Sequence, residues 1–322
     1  MDNFDPERIS VIMPCYNAAS YVEEAITCVL EQSYRNIELI VVDDGSTDGS
    51  DAIIEQLAAT HPDRITVLHQ TNSGPYAARN FGLAHAHGNY VAFLDADDTW
   101  HPDALAKLHG AMTETLADVA YCGWQNVGEA AANTQPHIPP NYAAADAAAL
   151  FLKSCPWPIN GVLIRRQLLD SLRGFSERYP TAMDYDLWLR MLAVQPVVVL
   201  VPEVLAFYRR YPRGDAHIPR WRQVFDAVAV REEFVHRHPA QIGHLRPDAR
   251  TALVYGTLLP EAYRCHWRRD MDSSRRLFRR AFRHADWKAR DAKYILASFL
   301  PAPVFDALIR YVDTRRNARN VL

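Results

Sequence analysis

A chain of 322 residues, 49% hydrophobic and 23% charged, has the make-up of a folded globular protein and excludes a disordered or fibrous one. The net charge of −3 is a small sum of unequal parts. Residues 264–322 hold fifteen Lys or Arg against six Asp or Glu, which is +9, and leave −12 for everything before them.

In chain order, short apolar runs occur at Ile9–Met13, Leu39–Val42, Ile65–Leu68 and Tyr90–Leu94, each followed by a polar loop and a helical pattern. Continuous rather than alternating runs predict strands buried on both faces, hence a mostly parallel sheet covered by crossover helices. The first helix is expected to open on a capping box at Ser20-Tyr21-Val22-Glu23 and to bury Val22, Ala25, Ile26 and Val29. A second helix is expected from near Thr47-Asp48, and Pro102 marks the start of another after the fourth strand. Between Gly123 and Pro158 the Ala, Asn and Pro content predicts a connection holding one short helix. From about Asp215 onward the pattern is helical. The division expected is residues 1–215 as one α/β domain and 216–322 as a helical region, basic from about 264.

The five cysteines are scattered, with no CxxC pair, which argues against a disulfide framework or a thiolate zinc site and fits a reducing cytoplasm. No apolar run approaches the roughly 20 residues of a membrane span. Asp2, Asp5 and Glu7 replace the basic flank of a signal peptide, so the expected location is cytoplasmic.

In open parallel sheets ligands bind beyond the carboxyl ends of the strands. Here those ends read Pro14-Cys15-Tyr16-Asn17, Asp43-Asp44-Gly45-Ser46 and Asp95-Ala96-Asp97-Asp98, which delivers five carboxylates to one edge. Such a cluster calls for a compensating cation. Asp95, Asp97 and Asp98 offer hard oxygen ligands for Mg2+ or Mn2+, ions that complete their shells with water and phosphate oxygens, so the bound ligand is expected to carry a diphosphate. No base-reading motif accompanies the basic end of the chain, so nucleic acid is not an expected partner.

Five stretches together resemble the family 2 glycosyltransferases, which have a GT-A fold. They are Ser10–Asn17, Val42–Asp48, Asn72-Ser73-Gly74 with Ala78-Arg79-Asn80, Phe93–Asp98, and Asp184–Arg190, within about residues 8–211. The resemblance implies transfer of a sugar from a nucleotide diphosphate sugar, UDP being favoured, to an acceptor hydroxyl with inversion. It implies that Pro14, Tyr16 and Asn17 line the nucleoside pocket, with Asp44 accepting from the base. It puts Gly74 in the donor site and Arg79 over the diphosphate, Asp95 on the ribose or metal, and Asp97 as the main metal ligand.

The family's second acidic motif, usually Glu-Asp, reads Met183-Asp184 here, which makes Asp184 the candidate general base and Asp186 its understudy. Trp157, in a stretch resembling the one before the family's acceptor site, is expected either to stack on a sugar or to lie in the core. Arg209 and Arg210 are weaker candidates for the phosphates, and His217 for the metal. The competing readings are a noncatalytic sugar-nucleotide binding module, prompted by Met183, and a nucleotidyltransferase, disfavoured by the lack of a Gly-rich triphosphate loop. The basic helices of 264–322 are expected either to cap the catalytic domain or to touch an anionic membrane, which would bring a lipid-linked acceptor within reach.

Overall fold

The structure, a computed structural model, describes residues 5–131, 134–144, 146–211 and 218–308. It divides into two compact units, Met1–Arg178 with Met183–Asp215, and Tyr179–Ala182 with Ala216–Leu322.

The first unit is built on an eight-stranded sheet. Its strands are β1 (Asp5–Cys15), β2 (Ile37–Asp43), β3 (Ile65–His69), β4 (Gly88–Phe93), β5 (Thr99–Trp100), β6 (Val119–Val127), β7 (Val162–Arg165) and β8 (Val198–Arg209), in the order β3-β2-β1-β4-β7-β6-β8-β5. The four expected strands form the parallel half, with β1 between β2 and β4. The other half is mixed: β7 runs antiparallel to both β4 and β6, β8 runs parallel to β6, and β5 antiparallel to β8. This is the GT-A arrangement expected, wholly parallel in the first half and mixed in the second.

The continuous apolar runs are covered on both faces. Val11, Ile12 and Met13 of β1 and Val91, Ala92 and Phe93 of β4 are all fully buried. The covering helices include α1 (Val22–Leu30), α2 (Ser50–Thr60), α3 (Pro75–His85) and α4 (Ala104–Thr115). In α1 the expected stripe Val22, Ala25, Ile26 and Val29 is the buried one. Helix α3 lies close on the sheet because residue 82 is glycine: a Cβ there would sit 2.6 Å from Ile12 Cγ2.

The capping box expected at Ser20 and Glu23 is not formed. Helix α1 begins one residue later than that box would place it, with no side-chain cap on Tyr21. The turn before it is held from the neighbouring loop instead, Ser50 Oγ accepting from Ala18 N and Asp48 Oδ2 from Ala19 N. The stretch after Gly123 also differs in part. Strand β6 continues to Val127 before the expected short helix, α5 (Ala147–Lys153), appears. Two further helices complete the unit, α6 (Arg166–Ser171) and α7 (Met183–Ala193).

The second unit is helical throughout its described residues, with α8 (Arg220–Arg237), α9 (Pro247–Tyr255), α10 (Leu258–Trp267), α11 (Met271–His284) and α12 (Ala292–Ala297). Its own core gathers Leu258, Leu277, Phe278, Ala281, Ile295 and Phe305. Tyr179–Ala182 belongs to it because Tyr179 donates to Glu233, and Thr181 donates through both N and Oγ1 to Asp226. Among the described residues no helix is long and apolar enough to cross a membrane.

Candidate active site

The strand order reverses beside β1, so the loops leaving β1, β2 and β4 open onto one crevice at the carboxyl edge. The first two loops are stitched together. Asn17 sits at φ 51, a left-handed conformation that asparagine tolerates, and its Oδ1 accepts from Thr47 N while its own N–H donates to Ser46 Oγ. Tyr16 beside it is 52% exposed, and Pro14 is buried at the end of β1. Of the three residues expected in the nucleoside pocket, Tyr16 and Asn17 thus face solvent and Pro14 shapes the strand end from inside.

Asp44 is buried and largely occupied. Its Oδ1 accepts from Gln70 Nε2 and Ser73 N, and its Oδ2 from Gly74 N. These bonds organise the turn into α3, where Gly74 takes φ 88 and ψ 165, a region that only glycine enters readily. Any base contact is left with the remaining lone pair of Oδ2.

The three aspartates after β4 have separate surroundings. Asp95 is 28% exposed and bound by Arg79. Asp97 accepts from Tyr211 at 2.9 Å; burial first, then the charge of Asp95, raises its proton affinity against that bond. Asp98 is fully enclosed, with Asn160 Nδ2 on one oxygen and Arg209 N on the other. Burial, with the charges of Asp95 and Asp97, still pushes its pKa up to about 9. Asp98 is therefore a structural tie between the β4 loop, β8 and the turn at Asn160, and not the third metal ligand that its position suggests.

No ligand set of three or more His, Cys, Asp or Glu is assembled for a metal among the described residues. Asp95 and Asp97 nevertheless fit Mg2+ or Mn2+, which are commonly held by one or two carboxylates plus phosphate oxygens.

Arg79, which the resemblance puts over the diphosphate, is held on α3 between two carboxylates. It is 3% exposed on α3, with Nη2 bonded to Asp95 Oδ1, Nη1 3.9 Å from Asp184 Oδ1 and 3.3 Å from Met183 Sδ, and the Phe175 ring against its guanidinium. Burial opposes its charge, but the two carboxylates overcome this and raise its pKa. One sealed cation thus joins Asp95, after β4, to Asp184 at the start of α7.

Asp184 stands at the start of α7 with its side chain 32% exposed and Oδ1 shut off from solvent. Burial raises its pKa, the Arg79 charge opposes this, and the Asp95 charge adds to it. Asp186 is excluded as a substitute because it is buried and paired with Arg190 at 2.7 Å and Arg178 at 3.6 Å. Arg190 in turn donates to the carbonyls of Leu172 and Gly174 and fixes the chain before α7.

Trp157 is a core residue. At 1% exposure it stacks on Tyr121 and meets Tyr142, Phe151 and Trp188 edge-on, which leaves no ring face for a sugar. Arg209 lies at the acidic edge, donating to the Asp97 carbonyl and to Glu24, whereas Arg210 covers the Tyr208 ring. His217 lies outside the described residues. Three supports escaped the sequence reading: Asn160 and Tyr211, which hold Asp98 and Asp97, and Asn80, whose amide makes two bonds to the Phe175 backbone. Asn80 lay inside a quoted stretch, but nothing in spacing shows which distant residue an amide meets.

The family profile described as Glycosyl transferase family 2 matches residues 10–173. TuaG of Bacillus subtilis, named as a teichuronic acid biosynthesis glycosyltransferase, is 34% identical over 212 residues, 65% of this chain and 81% of its own length. An uncharacterized glycosyltransferase of Rickettsia felis is 30% identical over 194 residues, and there this chain spans only 32% of the relative's length. Among solved structures, S. aureus TarS 1-349 in complex with UDP-GlcNAc has a TM-score of 0.60 at 18% identity, covering 90% of this chain and 79% of that one. The mannosyltransferase PcManGT from Pyrobaculum calidifontis, in complex with GDP-Man and Mn2+, has a TM-score of 0.60 at 22% identity, covering 96% and 86%.

Proposed function

The chain belongs to glycosyl transferase family 2, and from that premise we propose that it carries a sugar from UDP to an acceptor hydroxyl with inversion at the anomeric carbon. The observation that carries the proposal is the Asp95–Arg79–Asp184 bridge, which sets a carboxylate suited to the donor and one suited to a proton within reach of a single cation. Nucleotide sugars in the TarS and PcManGT complexes support a donor of this class, and the former supports UDP.

On this reading Tyr16 and Asn17 flank the nucleoside, Gly74 lets the backbone approach it, and Asp44 keeps that turn in shape. Asp95 and Asp97 would hold Mg2+ or Mn2+ against the diphosphate. When bound, that ion supplies Lewis-acid stabilisation of the charge developing on the departing nucleotide. Asp184 takes the acceptor hydroxyl's proton from the face opposite the leaving group. A carboxylate with raised proton affinity is the better base near neutral pH, and burial supplies that rise. Arg79 lies beside Asp184, and its charge favours the ionised form.

The acceptor is a saccharide, free or lipid-linked, in polysaccharide or glycoconjugate synthesis, reached from the cytoplasmic side. A lipid-linked acceptor requires contact with a membrane, and the basic helices after residue 264 are the segment suited to it. The test is release of UDP from UDP-sugars with Mn2+, compared between the native chain and Asp184→Asn. Loss of about 100-fold or more in transfer, with thermal stability retained, is expected of a general base. Full transfer by the variant would remove Asp184 from the mechanism, and no UDP release from any UDP-sugar would end the donor proposal.

A further inference from the structure

The second unit completes its core without Phe282, Leu296 and Phe299, which remain 41%, 59% and 47% exposed. Phe282 of α11 and Phe299, in the turn after α12, meet edge-to-face at 5.4 Å. Leu296 stands one turn before Phe299, its carbonyl accepting from Phe299 N at 3.2 Å. Single exposed apolar residues are ordinary on a protein surface, but a contiguous group is not.

The cations around this patch are also unusual. Arg279 lies 5.4 Å over the Phe299 ring and gives its guanidinium hydrogens to the Ser298 carbonyl. Among the described residues no carboxylate lies within 4.0 Å of Arg275, Arg279, Arg283 or Lys293, whereas Arg276 and Arg280 on the same helix are paired with Asp272 and Glu232. Of these, Arg279 lies against an exposed ring, Arg283 follows Phe282 along α11, and Lys293 stands one turn before Leu296 on α12.

We propose that this face of α11 and α12 docks on an anionic bilayer, with Phe282, Leu296 and Phe299 entering the headgroup boundary and Arg279, Arg283 and Lys293 meeting lipid phosphates. Apolar insertion combined with attraction to anionic lipid is the energetic pattern of interfacial helices. A second copy of the chain is a poorer occupant, because a symmetric interface would set these unpaired cations against themselves. A nucleic acid would meet the charges but leave the two phenylalanines and the leucine without a role. The inference deepens the acceptor side of the proposed function by naming the surface that would bring the enzyme to a lipid-linked acceptor.

The experiment is co-sedimentation of the full chain with vesicles of phosphatidylcholine, with and without phosphatidylglycerol. Binding is expected only to the anionic vesicles. Phe282→Ser with Phe299→Ser should weaken it about tenfold or more, Arg283→Gln with Lys293→Gln should weaken it by a similar factor, and Arg246→Gln should leave it unchanged. Absence of binding, equal binding to neutral vesicles, or undiminished binding by both double variants would overturn the proposal. So would a chain that dimerises through the two phenylalanines, or one that binds a DNA oligonucleotide in place of the vesicles. UDP release, measured on each variant without vesicles, is expected at the native rate and separates failure of this inference from failure of the transfer reading.

Discussion

Arg79→Met removes the cation that joins Asp95 to Asp184 and keeps most of the side-chain volume. A unit charge pair about 4 Å apart contributes roughly 4 kcal/mol at an effective dielectric near 20. Both carboxylates retain about a third of their exposure, 28% and 32%, so water takes up part of the loss. The net destabilisation is then about 2–3 kcal/mol, below the roughly 3–5 of a fully buried broken pair. For a folded unit of this size that lowers Tm by about 5–10 °C in a thermal melt.

Activity should fall further than stability. A base displaced by about 1 Å costs roughly 100-fold, measured as UDP release with acceptor present. The pH profile adds a readout that simple loosening would not give. Arg79 favours ionised Asp184, so its removal raises the carboxyl's proton affinity and moves the acidic limb of kcat to higher pH. Arg79→Lys should recover part of each effect. A methionine variant with native Tm, native rate and an unmoved acidic limb would refute the bridge.

Three further outcomes follow from the same geometry. Trp157→Ala should cost about 3–5 kcal/mol in denaturant unfolding, as for other buried aromatics, and Trp157→Phe should keep native KM for acceptor, since the indole touches only protein. Gly74→Ala meets no atom within 4 Å, so its cost is backbone strain alone, about 1–3 kcal/mol, read as lower Tm and weaker UDP binding by calorimetry. Hydrogen bonding to Glu55, and then the partnership with Asp43, raises the His69 pKa above its usual value. Its contribution to stability is therefore complete below the unfolded pKa of about 6.5 and is lost as pH rises through the folded one. The Tm gap between the native chain and His69→Gln should be wider in mildly acidic than in mildly alkaline buffer.

The parallel half of the sheet was legible because burial on both faces writes unbroken apolar runs such as Leu39–Val42. Strand β6 was not among the expected strands: its apolar part is only Val119–Cys122, and Trp124, Gln125 and Asn126 beyond it are half-buried beside an irregular pairing with β8. The insertion of β7 between β4 and β6 is non-local and leaves no mark in spacing. The same holds for the site. Two acidic strand ends and the Pro14–Asn17 end marked one edge of the sheet, but Arg79 meets partners 16 and 105 positions away, and its burial under them is visible only in three dimensions. The sequence reading of Trp157 rested on the residues around it, whereas its role comes from Tyr121, Tyr142, Phe151 and Trp188 closing around the ring.

Because Arg79 is sealed between two carboxylates, the proposed donor and base roles cannot be tuned separately through Asp95. A replacement there releases the guanidinium toward Asp184, so altered nucleotide affinity arrives together with altered basicity. The loops carrying Asn17, Ser46 and Thr47 are tied to each other and not to Arg79. A change of donor preference that leaves proton removal intact should be engineered from that side of the crevice.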